Sequence, residues 1–173
     1  MIQLNFQILK TDLHQSRFTS TEPAPLLNGE LRMAVQRFAF TANNSTYAAF
    51  GDAMNYWKFF PKPDAAWGSI PVWGFADVLE SACGGVAAGG CFYGYHPMIS
   101  LTVLLPTRVT AHGLYDAALH RAELHLVYNH YAASRSDPRH SVNTDDSPAL
   151  LRPLFVTSFL IDHCLADNQF FGA

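Results

Sequence analysis

Charge is scarce in this chain. Asp, Glu, Lys and Arg make up 14% of its 173 residues, and the net charge is −3, against about a quarter charged in an ordinary globular domain. No run of Lys or Arg stands out, so the electrostatic footprint of a nucleic-acid partner is missing. Cysteine is sparse too. Cys83, Cys91 and Cys164 are odd in number and form no C-x-x-C pair, which favours buried thiols in a reducing compartment over disulfides or zinc. The opening MIQLNFQILKTDLHQSR lacks the charged start, apolar centre and small-residue cleavage site of a signal peptide. No uninterrupted apolar run approaches the roughly 20 residues of a membrane span. A soluble, cytoplasmic protein with no nucleic-acid or membrane partner is the expectation. No G-x-G-x-x-G follows a strand, and no G-x-S-x-G supports a nucleophilic serine. His120, His125 and His130 step by five, not by a helical four, and none pairs with a cysteine, so no metal site is expected.

What the chain does have is apolar and aromatic. Hydrophobic residues reach 49% and aromatics 13%, enough for one well-packed domain or for a surface that something else covers. The richest stretch runs from Phe40 to Met98, with paired asparagines, clustered tyrosines and tryptophans, and glycine-punctuated apolar runs.

Around it, residues 2–9 alternate loosely as a short strand, and 11–30 are polar and proline-bearing, a connecting loop. Glu30 to Thr41 fits a strand with a flaw near Arg37. Ser45 or Thr46 is placed to cap a short helix that Gly51 terminates. Residues 54–73 form an irregular aromatic loop. IPVWGFADVLES returns to strand, with Gly74 marking a bulge or a close backbone approach. GGVAAGG is turn material, and CFYGYHPMISLTVLLPTRV gives two strands divided at His96 and Pro97. Many short strands with turns argue for a barrel or a strongly bent sandwich. Asp116 is placed to cap a helix over AALHRAELHLVYNHYA, with a break near Glu123 as the alternative. Residues 134–147 read as a polar loop, and Ser147–Pro148 starts an apolar helix that Pro153 kinks or divides.

At ANNSTYAAFGDAMNYW–FFP, IPVWGFADV…YGYHPM, HRAEL…YNHY and the ending LLRPLFVTSFLIDHCLADNQFFGA, the chain resembles an uncharacterised family distantly related to the medium-chain dehydrogenase/reductase superfamily of quinone and enoyl reductases. The resemblance covers nearly the whole chain. It implies a mainly β fold with C-terminal helices, a chaperonin-10 (GroES)-like bent β-barrel. Phe38–Thr46, Pro71–Gly74, Gly90–Gly94 and Ile99–Leu105 stand in the superfamily's order of strand, Asn turn, P-x-x-G strand, glycine segment and strand. It also implies that residues 148–173 connect the 1–147 domain to a Rossmann domain, which this sequence lacks. Such a chain is expected to be inactive alone, with NADPH held only once a Rossmann partner supplies the other side of the cleft. The expected partners are that domain, a small hydrophobic substrate, or a second copy through the C-terminal helix. The rival expectation is a non-catalytic module that binds a small molecule or a protein.

The zinc-bearing branch of the superfamily carries a Cys after its first strand and a Gly-His-Glu after P-x-x-G. Here Phe75 and Ala76 follow Gly74, which implies the zinc-free branch. The resemblance places Asn43 or Asn44 beside the nicotinamide and substrate, Tyr47 facing the nicotinamide, and Tyr56 as a proton or hydrogen-bond donor. Each has a plainer reading. The asparagines make a turn or cap a helix, Tyr47 packs behind that helix, and Tyr56 joins Trp57, Trp67 and Trp73 in an aromatic cluster. His96 reads as a core histidine with acid chemistry as the sharper option, and Cys83 and Cys91 as unreactive thiols.

Overall fold

The computed structural model describes residues 1–138, 140–141 and 145–170. It is mainly β, with two antiparallel sheets and a long C-terminal helix. The smaller sheet has the order β2-β1-β4, from β1 (Gln3–Leu9), β2 (Asp12–Thr21) and β4 (Trp67–Gly68). The larger is a curled half-barrel ordered β7-β3-β5-β6-β10-β9-β8. It is built from β3 (Leu31–Ala39), β5 (Pro71–Ser81), β6 (Cys91–Pro97), β7 (Leu101–Leu104), β8 (Pro106–Thr110), β9 (Gly113–Asp116) and β10 (His130–Ala133). Helix α1 (Ala42–Ala49) follows β3, and α2 (Asp146–Asp167) closes the described chain.

The flaw expected near Arg37 is present: the β3–β5 register shifts between Val35 and Arg37. Gly74 sits opposite, at the close approach its sequence position suggested. A methyl there would lie 2.2 Å from the Arg37 carbonyl oxygen. One face of the large sheet buries Leu31, Met33, Val78, Leu104, Leu114 and Tyr131 in a single core. Gly94 belongs to the same design, because the Tyr131 ring lies where a side chain on Gly94 would be.

Several expectations are corrected. Residues 11–30 are not all loop: Asp12–Thr21 pairs with β1 as an edge strand. Its polarity reflects exposure of most of its side chains, so a period-two pattern of burial never develops. The helix expected from Asp116 is also absent. Asp116 ends β9, two short 3-10 turns cover Leu119–Arg121 and Leu126–Asn129, and Tyr131 enters the sheet. Local helix propensity is outweighed there by burial of Arg121 and Tyr131. The α1 cap is Thr41, not Ser45 or Thr46. His96 and Pro97 lie inside β6, and three strands follow the glycine turn where two were expected before Thr110. Helix α2 is not divided at Pro153, whose missing N–H forgoes one bond to Ala149. The polar stretch 134–147 holds a turn at Ser134–Ser136; its residues 139 and 142–144 lie outside the described set.

Candidate functional site

Helix α2 meets the sheet only through its first turns. Ala149 is buried against Phe75 and Tyr93. Arg37 pairs with Asp146 at 3.2 Å, and Arg152 pairs with Asp137 while its guanidinium lies 4.5 Å from the Tyr93 ring centre. Beyond that contact the helix is bare. Phe155, Phe159, Leu160 and Ile161 are each more than half exposed. The helix is long and apolar enough to cross a membrane, by length and composition alone. Arg152 and Asp162 break it into shorter apolar runs, which is why a search for uninterrupted ones passes over it.

Under this helix lies a cleft with two lobes. One, of about 280 Å³, runs between α1 and α2 past Asn43, Asn44, Tyr47 and Trp73. The other, of about 390 Å³, is lined by Tyr93, His125, Tyr128, His130 and Arg152. Tyr47, Trp73 and Pro153 border both. Behind Tyr47 stands an aromatic cluster of Tyr56, Phe59, Phe60 and Tyr95, with Tyr47 and Tyr56 ring centres 4.6 Å apart.

The sequence-derived candidates separate here. Asn43 is exposed and lines the first lobe, with its backbone N–H capped by Thr41 Oγ1 at 3.2 Å. Asn44 borders the same lobe but is 4% exposed, and both ends of its amide are engaged. Its Oδ1 accepts the Thr41 N–H at 2.6 Å, and its Nδ2 donates to the Pro71 carbonyl at 2.9 Å. That is a capping box extended into the sheet. Tyr47 faces the cleft, and its phenol is held above the ordinary tyrosine range, first by burial and then by the Tyr56 ring beside it. Tyr56 is buried and lines neither lobe.

Of His125, Tyr128, His130 and Arg152, the sequence singled out only the two histidines, and those only to set them aside as metal ligands. The first three fall in the segment that reads as a helix, and a helix would have spread them around its circumference. Their actual path, a 3-10 turn into β10, brings them to one wall. Burial lowers the His130 pKa and raises that of Tyr128, the latter also through Tyr56. In both cases the neutral form is favoured. Among the described residues no three His, Cys, Asp or Glu side chains come together to hold a metal.

A dinucleotide requires a cradle for its pyrophosphate. Arg152, the arginine in this cleft, is already paired with Asp137. The rest of the lining is mainly aromatic and aliphatic, with the Asn43 amide at the edge of the first lobe.

A family profile matches residues 38–173, described as Protein of unknown function (DUF2855). The chain belongs to this family. The DUF2855 match begins at the end of β3 and takes in α1, both lobes of the cleft and α2. A search of the curated proteins returns no match.

Proposed function

We propose that this DUF2855 protein is the substrate side of a zinc-independent NAD(P)H-dependent reductase, which reduces a quinone or an activated C=C when a Rossmann domain covers the cleft. The observation that carries the reading is the placement of Asn43, Tyr47 and Trp73 around an apolar lobe directly beneath the exposed flank of α2. The order of strand, Asn turn, P-x-x-G strand and curled sheet supports a chaperonin-10-like barrel, as the resemblance implies. In this reading the Asn43 amide orients the substrate carbonyl, because its side chain is exposed in the lobe while that of Asn44 is consumed. Tyr47 donates the hydrogen bond or proton at the developing oxyanion, and Tyr56 backs it from the cluster. A covering domain would take up the apolar surface of Phe155 and Phe159 and add the pyrophosphate cradle.

The test is a pair of titrations on the chain alone. Menadione, a small quinone, should quench tryptophan fluorescence saturably, while NADPH should not bind. Absence of quinone binding would overturn the reading, and tight NADPH binding by this chain alone would overturn the need for a partner.

A second reading is a module that holds a small hydrophobic ligand without reducing it. It is favoured by the burial of Tyr56 and the structural use of Asn44. Turnover with a supplied Rossmann domain that falls in Tyr47→Phe separates the two.

A further inference from the structure

The two lobes of the α2 cleft differ in what their walls offer a ligand. The first has the exposed Asn43 amide. The second, the larger at about 390 Å³, has apolar surface from Val127, Val156 and Leu160. Several of its polar groups are spent. Arg152 pairs with Asp137, so an acid or a phosphate finds no free guanidinium there. The Thr157 hydroxyl donates to the Pro153 carbonyl at 3.0 Å within the helix. Burial favours the neutral form of His130.

Two donors in the wall of the second lobe are uncommitted. His125 stands just before the 3-10 turn Leu126–Asn129, and its Nδ1 accepts the Val127 N–H at 3.3 Å. A ring nitrogen that accepts is unprotonated, so the neutral imidazole carries its proton on Nε2. No described residue accepts from that Nε2–H, and the side chain is exposed where it lines the lobe. Tyr93 supplies the other donor. Its ring is fixed, stacked on Trp73 with centres 5.8 Å apart, and the residue is 5% exposed. Its hydroxyl is buried without a hydrogen-bond partner among the described residues. A phenol O–H in that state carries a desolvation cost, which an acceptor entering the lobe removes. Asn43 borders only the first lobe and these two donors only the second, while Tyr47 and Trp73 border both.

We propose that the second lobe is an acceptor subsite, and that the ligand of the cleft is a flat ring with carbonyl oxygens on two opposite edges. One oxygen meets Asn43 and Tyr47 in the first lobe. The other accepts from His125 Nε2–H and Tyr93 O–H in the second, and the ring between them lies against Trp73. His125 and Tyr93 are positioning residues, which hold the second oxygen and make no covalent bond. The subsite rests on the first lobe being a carbonyl site, and it selects para-diones over compounds with a single carbonyl.

The test compares two flat probes of one shape on the intact chain, read by quenching of tryptophan fluorescence. The first is 2,3-dimethyl-1,4-naphthoquinone, whose methyl groups block addition of thiols. The second is 2,3-dimethylchromone, in which a weakly accepting ring ether replaces one of the two carbonyls. The dione should bind roughly tenfold tighter, as one or two added hydrogen bonds provide. His125→Asp keeps an acceptor for the Val127 N–H but loses the outward donor, and should erase that ratio. His125→Asn keeps both acceptor and donor and should restore most of it. Tyr93→Phe should lower the ratio by about threefold without lowering the urea midpoint, because the hydroxyl it removes is unpaired in the unliganded protein. A general loss of fold would weaken both probes and leave the ratio unchanged. Equal affinity of the parent for the two probes, or Asp and Asn variants that behave alike, would sink the acceptor subsite and leave the carbonyl reading of the first lobe standing. Binding of neither probe would overturn both.

Discussion

The Asn44 side chain donates to the Pro71 carbonyl at 2.9 Å and so ties the first turn of α1 to the first residue of β5, 27 positions away. The oxygen of the same amide accepts the Thr41 N–H and closes the cap. One buried side chain thus fixes the angle at which α1 and its Tyr47 stand over the cleft. Asn43, one residue earlier, has an exposed side chain in the same lobe.

Asn44→Ala should therefore destabilise the fold by about 2 kcal/mol, through loss of a cap and a buried hydrogen bond. Asn43→Ala should leave stability within about 0.5 kcal/mol and weaken quinone binding instead. Urea unfolding of the two variants, beside the menadione titration, reads both effects.

The division between legible and hidden features follows the range of the interactions involved. Gly74 and the Arg37 flaw were readable because a strand that tolerates a glycine and a misplaced arginine advertises a local irregularity. The Asn-Asn turn was readable as a cap or a site, and the sequence left both open. What decides it is Pro71, which no local pattern connects to Asn44. The 116–131 segment misled for the same reason. Its alanines, leucines and glutamate favour a helix locally, yet Arg121 finds Asp116 and the Tyr131 hydroxyl only after β9 and β10 have paired. β2 was missed because an edge strand exposed on most positions carries no burial rhythm.

Asp116→Ala should be among the most damaging substitutions. It leaves the Arg121 guanidinium buried without its counter-charge and frees two backbone N–H groups, a loss of about 3–5 kcal/mol. A drop in the urea midpoint of that order, or failure to fold, is the expected result.

His96 makes a pH prediction. The ring is fully buried, neither nitrogen has a hydrogen-bond partner among the described residues, and its pKa is lowered from 6.5 to about 3. Burial is the main cause and the Arg121 charge the second; the Gly74 backbone works weakly the other way. Below pH 6.5 the unfolded chain takes up a proton that the folded chain refuses. Stability is therefore full above pH 6.5 and falls as pH drops toward 3, by about 2 kcal/mol at pH 5. His96→Phe should flatten this part of the stability–pH curve relative to the parent, measured by urea unfolding between pH 4.5 and 7 in one buffer series.

Gly74→Ala should lower the melting temperature, because the added methyl meets the Arg37 carbonyl and the Phe38 Cα, which are backbone and cannot rotate away. A cost of about 1–3 kcal/mol is expected. A variant that melts with the parent would show that β3 can shift at its bulge.

Strand β3 lies between β5 and β7 in the large sheet. During synthesis it leaves the ribosome long before either neighbour, and its second edge has no partner until Leu101–Leu104 has been made. For that interval an apolar strand is open to pairing with other nascent chains. Expression yield should then depend on the speed of elongation across residues 40–104, a sensitivity set by the order of strands and not by the final stability of the protein.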